Sequence, residues 1–481
     1  MTPVRISTPL RLIAVAGLIL ALTSGFHAVA SAQQAEPAAV PTATSMTLAE
    51  VLDLAMEQNP RILKARQGIA EAEAELETAR AEYHPRVEFQ FLLAPMTGHH
   101  VPDPDAPFTS VYSNDLGDLG EWGIWTKIGV KLIQPIYTSG KITWLNRARK
   151  LGVEVSRGLE QMVRADVRLE VLKGYFGLGL TRRLSGVLGE GRGYFNTARD
   201  HLKQMEADDD PSWDPVDQMK VNVYEAQIIE QELRANRMRE LAVGQMARLA
   251  GMDPLAGISI ATPEELTPIT PLIDLDLESA VEAALDNRAE LVALRSGIQA
   301  REAEAEARFR NFFPDFVLFA EFEYAYSNVA DDMTFPYYDP FNTLGFGAGL
   351  AIRFDLNVGA KLGQLKKTRA QKTALQMELD GAEASIRLEI EKLFLEMSDA
   401  RTMVNVREAT LKSARGWVIA KLDLFENGMA TLQEVIDGLT QFFLAQLAYY
   451  QAVYDYNVSV ASLERATGVT LIDLTSIEMA N

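Results

Sequence analysis

The chain states one plan twice, and that constrains its fold more than any other feature. Leu48–Phe91 opens with Leu-Ala-Glu-Val-Leu-Asp-Leu-Ala, passes Asn59 and a polar helical run to Tyr83 and Pro85, and ends in an apolar stretch. Leu277–Phe319 repeats the order with Leu-Glu-Ser-Ala-Val-Glu-Ala-Ala, Asn287, Arg308, Pro314 and a second apolar stretch. The two Asn lie 228 positions apart and the two Pro 229. Gly140-Lys141-Ile142 is echoed by Gly359-Ala360-Lys361, and Leu249-Ala250-Gly251 by Ala466-Thr467-Gly468. A tandem duplication of this size predicts two supersecondary modules that close against each other.

Export is written at the start of the chain. Arg5 and Arg11 precede an apolar run over Leu12–Leu22, and Ala30-Ser31-Ala32 supplies a small-x-small cleavage site, so residues 1–32 read as a signal peptide. The run is too short to span a bilayer. Its removal takes away two Arg and no acid, moving the formal charge from −20 to −22, which argues against nucleic acid as a partner because phosphate binding needs a basic face. With no cysteine, neither a disulfide nor a lipidated N-terminal Cys is available. The remainder holds no run of about twenty apolar residues. An exported chain of this kind is soluble in the periplasm, secreted, or a β-barrel of the outer membrane.

Four segments alternate like strands, at about 86–95 and 125–136 and again at about 315–327 and 344–356. Val87, Phe89, Phe91 and Leu93 share one face of the first, and Ile128, Val130 and Leu132 one face of the second. Phe316, Leu318, Ala320, Phe322, Tyr324 and Tyr326 line the third, and Phe346, Ala348, Leu350, Ile352 and Phe354 the fourth. Their length suits a tilted transmembrane strand, and Phe, Tyr and Trp collect toward their ends. Four strands close no barrel alone, so the hairpins pack on something else or several chains pool them. Met96–Gly123 reads as a loop.

Pro-free helical pattern covers Lys141–Glu206 and Lys361–Phe425, roughly 100 Å each at 1.5 Å per residue. In the second run Ile390, Leu393, Met397, Ala400 and Val404 step by three and four, as do Leu375, Leu379, Ala382 and Ile386 before them. Turns at Ala207–Asp214 and Asn427–Thr431 lead into return helices Pro215–Ala250 and Leu432–Thr467. The glycines between Gly174 and Gly193 sit uneasily in a helix, each costing ~1 kcal/mol relative to Ala. They mark a bend, close packing or a break. The expected organisation is a leader at 33–45, a first repeat at 46–251, a linker at 252–276, a second repeat at 277–468 and a tail at 469–481. The fold class is mainly α, with long coiled-coil helices and four strands.

This order resembles the TolC family of outer-membrane efflux and secretion ducts. The resemblance rests on Leu48–Pro60 and its copy Leu277–Arg288, on Gln134-Pro135 followed by Ser139-Gly140, and above all on Glu426–Gly468. It implies a homotrimer in which each chain gives four strands to a twelve-stranded barrel in outer-membrane lipid and its long helices to a hollow periplasmic tunnel. The duct would be passive and cofactor-free, joined to a periplasmic adaptor and an inner-membrane pump of RND, ABC or MFS type.

The same resemblance makes Glu434 and Asp437, three apart on one helical face, the acidic pair of the periplasmic entrance. A repeat offset of 217 places Asp217 opposite Glu434 and Lys220 opposite Asp437. Ducts of this kind lock the entrance with an Arg and a Tyr where this chain has Ala430 and Phe425. Lys220, Lys421 and Lys203 are the cations that could stand in, and Lys220, Lys421 and Phe425 are the candidate gate contacts. Asn427, Gly428, Met429, Pro211 and Ser212 mark the tips at which an adaptor docks. The acidic turn Asp208-Asp209-Asp210 with Asp214 lacks the spacing of a calcium loop, and His99-His100 lack spaced partners for a metal. No catalytic motif is present. The competing architecture is a soluble periplasmic coiled-coil scaffold or adaptor whose hairpins pack on their own helices.

Overall fold

The computed structural model describes residues 45–481 apart from 100–117, 210–212, 256–257, 263–264, 332–338, 340, 428 and 476–481. The signal peptide and nearly all of the leader thus lie outside the described residues. In chain order the elements are α1 (Leu48–Gln58), α2 (Pro60–Ala81), β1 (Arg86–Gly98), β2 (Asp118–Tyr137), α3 (Lys141–Ala207) and α4 (Pro215–Leu249). The second set is α5 (Leu277–Asn287), α6 (Ala289–Arg310), β3 (Asp315–Ser327), β4 (Thr343–Arg353), α7 (Val358–Glu426) and α8 (Leu432–Thr467). Every element has its counterpart: α1 and α5 have 11 residues each, α2 and α6 have 22, and α3 and α7 have 67 and 69.

The repeats close alike but are capped differently. Asn59 caps α2 by accepting from Arg61 N at 2.9 Å, while its amide donates to Leu249 O at 2.8 Å and so ties α1 and α2 to the end of α4. Its counterpart Arg288 has the same extended backbone and no side-chain cap. It is buried to 4% exposure and reaches Glu389 at 2.6 Å and Glu290 at 3.0 Å instead. Arg465 from α8 joins this group through Asp166 at 2.8 Å and Glu290 at 3.1 Å, so α3, α6, α7 and α8 meet in one ion network. Gly251 and Gly468 end α4 and α8 with φ of +75° and +71°, where side chains are strained. A Cβ at Gly251 would lie 2.6 Å from Gln58 O, so the return helix ends hard against α1.

The large core lies where α1 and α5 pack on α3, α4, α7 and α8, with Tyr175, Leu172, Met246, Ile390 and Leu463 fully enclosed. Ile386, Ile390 and Val404 of the three-four stepping seam are buried there, and Leu379, Ala382, Leu393, Met397 and Ala400 pack on it. The glycines of α3 do not interrupt the helix. Gly174 admits Met246, whose Sδ would lie 2.5 Å from an added Cβ, and Gly191 admits the Phe443 ring at 3.3 Å. Gly186, Gly189 and Gly193 face open space, and nothing in the structure explains them.

Among the described residues the strands form a single antiparallel sheet in the order β1-β2-β3-β4. β1 and β2 run further than their alternation indicates: Met96–Gly98 pairs with Asp118–Gly123, both expected in a loop. The ladder carries the hairpin through residues that locally favour turns. β4 ends at Arg353, short of the expected 356. Residues directly opposite share a face, and the register aligns Phe91-Ile128-Tyr324-Leu344, Phe89-Val130-Phe322-Phe346 and Val87-Leu132-Ala320-Ala348 across the four strands. The other face aligns Glu88-Lys131-Glu321-Gly347 and Gln90-Gly129-Glu323-Gly345, and Lys127 pairs with Glu323 at 2.8 Å. One face is a continuous apolar surface, and the other carries the charged residues with Leu92, Ile133 and Phe319 among them. All four junctions to helices sit at one end of the sheet, both hairpin connections at the other. No described helix is long and apolar enough to cross a membrane.

Candidate functional site at the helical tips

At the far end of the long helices two turns bring the sequence candidates together in two sets. α3 returns through Asp208, Asp209 and Asp214 into α4, with Asp214 accepting from Val216 N at 2.8 Å as N-cap. α7 returns through Asn427 and Met429 into α8, capped by Thr431, which accepts from Glu434 N at 3.4 Å. Pro215 and Leu432 open their helices 217 positions apart, so Asp217 and Glu434 occupy the same third helical position, where a carboxylate suits the helix dipole.

Apolar packing fixes these turns. Phe195, Leu202 and Val221 from α3 and α4 enclose Ile436 of α8, and Phe195 stacks on Tyr224 with ring centroids 5.7 Å apart. Arg199 grips Glu225 with two bonds of 3.0 and 2.8 Å. A second small cluster, Val418, Val435 and Leu439 with Leu422, Phe425, Phe442 and Phe443, binds α7 to α8. Gly438 lets the helices close here, with Val418 Cα 3.8 Å from where a Cβ would be.

Lys421 Nζ donates to Glu434 Oε2 at 2.6 Å, a bridge from α7 to α8 across the turn. Lys220 donates to Asp217 at 2.9 Å, three residues away within α4, and therefore joins no two elements. The hydrogen bond from Lys220 to the Asp217 carboxylate raises the ammonium above its ordinary value; desolvation opposes it, and the charges of Asp217 and Asp214 add to the rise. Asp437 is exposed and accepts from Gln433 at 2.8 Å. Phe425 packs in the α7–α8 cluster. Asn427 donates to Asp423 O at 2.7 Å, and Met429, whose N–H donates to Leu424 O, stands 68% exposed at the turn. Gly428, Pro211 and Ser212 lie outside the described residues.

Glu434 is thus matched by Lys421 and Asp217 by Lys220, and among the described residues no cation pairs with Asp437. At the first tip Asp208, Asp209 and Asp214 are exposed, and no group of His, Cys, Asp or Glu able to hold a metal occurs among the described residues. The ion network around Arg288 and Arg465 has no counterpart in the sequence reading. Arg288 and Glu290 lie two positions apart, but the network's other hydrogen-bonded pairs lie 101 to 299 positions apart, and no local pattern announces them.

Residues 280–469 match the family model described as outer membrane efflux protein. The alkaline protease secretion protein AprF of Pseudomonas aeruginosa is 22% identical over 306 residues, which cover 63% of this chain and 62% of that protein. The chain therefore spans under two thirds of this relative's length. Among solved structures, the CmeC outer membrane channel of Campylobacter jejuni is similar with a TM-score of 0.70 at 15% identity, covering 90% of this chain and 89% of that one. The outer membrane protein VceC of Vibrio cholerae is similar with a TM-score of 0.69 at 17% identity, covering 88% and 96%. In its second repeat the chain carries the outer membrane efflux protein module, and as a whole it has the fold of the TolC-like outer-membrane channels.

Proposed function

We propose that the chain is the outer-membrane duct of an efflux or type I secretion system, a passive homotrimer through which a pump elsewhere drives cargo. The observation that carries this reading is the sheet: one apolar face, one face bearing the charged residues and two unpaired edges. An isolated sheet of that kind exposes apolar side chains and open backbone groups together, which water and lipid each disfavour. With four strands alternating in direction, β4 of one copy runs antiparallel to β1 of the next, and cyclic repetition closes a barrel with lipid outside and water inside. Three copies give twelve strands.

The helices have the same need. Contacts place the helices in the order α4-α3-α8-α7, and the two at the edges keep large apolar side chains exposed: Met219, Val223 and Leu233 on α4, and Leu388, Leu395 and Val406 on α7. A neighbouring copy covers both stripes and completes a hollow tunnel. Glu434 and Asp437 form its acidic entrance, drawing cations and repelling anions. The tips bearing Asn427, Gly428, Met429, Pro211 and Ser212 receive a periplasmic adaptor, which links the duct to an inner-membrane pump. Purified protein in planar bilayers tests this reading, with long-lived single-channel steps as the expected result. A protein that stays in solution without detergent and forms no pores would favour the soluble scaffold.

A further inference from the structure

The exposed apolar stripes of the two edge helices point away from the chain's own packing. On α7 the stripe is Met377, Leu388, Leu395, Val406 and Trp417, each at least 45% exposed. They follow one another at 11, 7, 11 and 11 positions, each step close to a whole number of helical turns, so all five share one face. Ile386, Ile390 and Val404 lie two positions from Leu388 or Val406, on the opposite side of the helix, and are buried in the core. On α4 the stripe is Met219, Val223 and Leu233, while Val221 and Ala235, two positions away, are buried. The stripes also match in height. Val221, the seventh residue of α4, and Ile436, the fifth of α8, pack in one cluster with Phe195 and Leu202, so the two tips are level to about 3 Å. Trp417 lies nine positions before the end of α7 and Val223 eight after the start of α4; for Val406 and Leu233 the distances are 20 and 18 positions. Rotation about a tunnel axis moves nothing along it, so a symmetric neighbour keeps these heights and presents Met219 and Val223 to Trp417. Lys421 and Lys220 are paired inside one copy, with Glu434 at 2.6 Å and Asp217 at 2.9 Å, which takes two of the tip's cations out of any bridge between copies.

We infer that Trp417 seats between Met219 and Val223 of the neighbouring copy, an apolar clasp that joins adjacent tips and resists their separation. The inference rests on the duct reading, in which copies form one closed ring, and it names the residue that fastens that ring at its periplasmic end. Trp417 is the largest side chain of either stripe and the one nearest the tip on α7. An aromatic anchor that a partner covers carries a large share of the energy of such a contact. The tunnel end widens only if this contact parts, so the clasp sets the resistance to opening.

The natural absence of cysteine makes the test clean. Trp417→Cys combined with Val223→Cys, oxidised in detergent, should give covalent dimers and trimers on a non-reducing denaturing gel. Ile419→Cys with Val223→Cys should give none, because Ile419, although exposed, lies two positions from Trp417 on the far side of α7. In planar bilayers Trp417→Ala should raise the fraction of time spent open roughly tenfold, as expected for the loss of an anchoring aromatic, and Trp417→Phe should raise it less. Val223→Ala, on the other side of the seam, should act in the same direction. Trimers by native mass spectrometry that form no link between positions 417 and 223 overturn the clasp and leave the duct standing. Pores whose opening ignores both Trp417→Ala and Val223→Ala do the same. A parent chain that forms neither trimers nor pores overturns both.

Discussion

At Arg288 and Asn59 the two repeats solve one problem with different chemistry. Each residue stands where a short helix hands over to a longer one, with nearly identical backbone angles. Asn59 accepts the Arg61 N–H itself; Arg288 uses the position to hold two carboxylates from α6 and α7. Removing one partner of a fully buried ion pair costs ~3–5 kcal/mol, and the loss here is smaller because Glu290 and Glu389 are 29% and 42% exposed and keep Arg465 nearby. Arg288→Met should therefore lower the thermal midpoint more than Asn59→Ala, whose lost cap costs about 1 kcal/mol. Calorimetry on the two variants checks the order. At the tip, Glu434→Gln with Asp437→Asn should reduce cation preference, read as a smaller reversal potential in a salt gradient, without changing the assembly state. The Lys220–Asp217 pair should be indifferent to pH near neutrality. Its ammonium is raised in the folded chain, so whatever it adds is complete below the ordinary lysine value of about 10.4 and is lost as pH rises through the folded value. Limited proteolysis of the tip, comparing Lys220→Met with the parent, should show a constant difference across neutral pH that fades only in strong alkali. Position 217 apart in the repeat was readable from the chain; which Lys would meet which carboxylate was not, because Lys421 reaches Glu434 through a turn whose path depends on packing.

The elements were more legible than their contacts. Absence of Pro and steady three-four stepping announce α3 and α7, and strict alternation announces four strands whose shared faces emerge in register. Asp118 and Gly123 conceal the far end of β2, since as single residues they favour turns and only pairing with β1 makes them extended. The glycines of α3 show the same limit: small size signals close packing only when a neighbour is known. Gly158 packs against α6, where a Cβ would lie 2.9 Å from Ala293 Cβ and 3.1 Å from Ala289 O, whereas Gly186 faces open space. Gly158→Ala should separate α3 from α6 and destabilise the fold by about 1–3 kcal/mol. Gly186→Ala should leave stability unchanged or raise it by up to ~1 kcal/mol. Opposite signs in thermal unfolding are the expected result.

For the whole molecule, duplication and unpaired edges are two views of one design. Two modules give each copy two hairpins and two long helix pairs, enough for a wall segment and too little for a closed wall. The apolar side chains left open on the sheet, on α4 and on α7 then mark where the next copy belongs. The repeated order and the amphipathic strands make this plan visible in the chain. The ion network around Arg288 and Arg465 is not visible there, because most of its pairs join residues far apart in sequence.

The most direct test is the mass of the detergent-solubilised protein, measured by native mass spectrometry alongside a detergent-free sample. The account predicts a trimer held together in detergent and loss of soluble, monodisperse material when detergent is withdrawn. A stable monomer in plain buffer would contradict it.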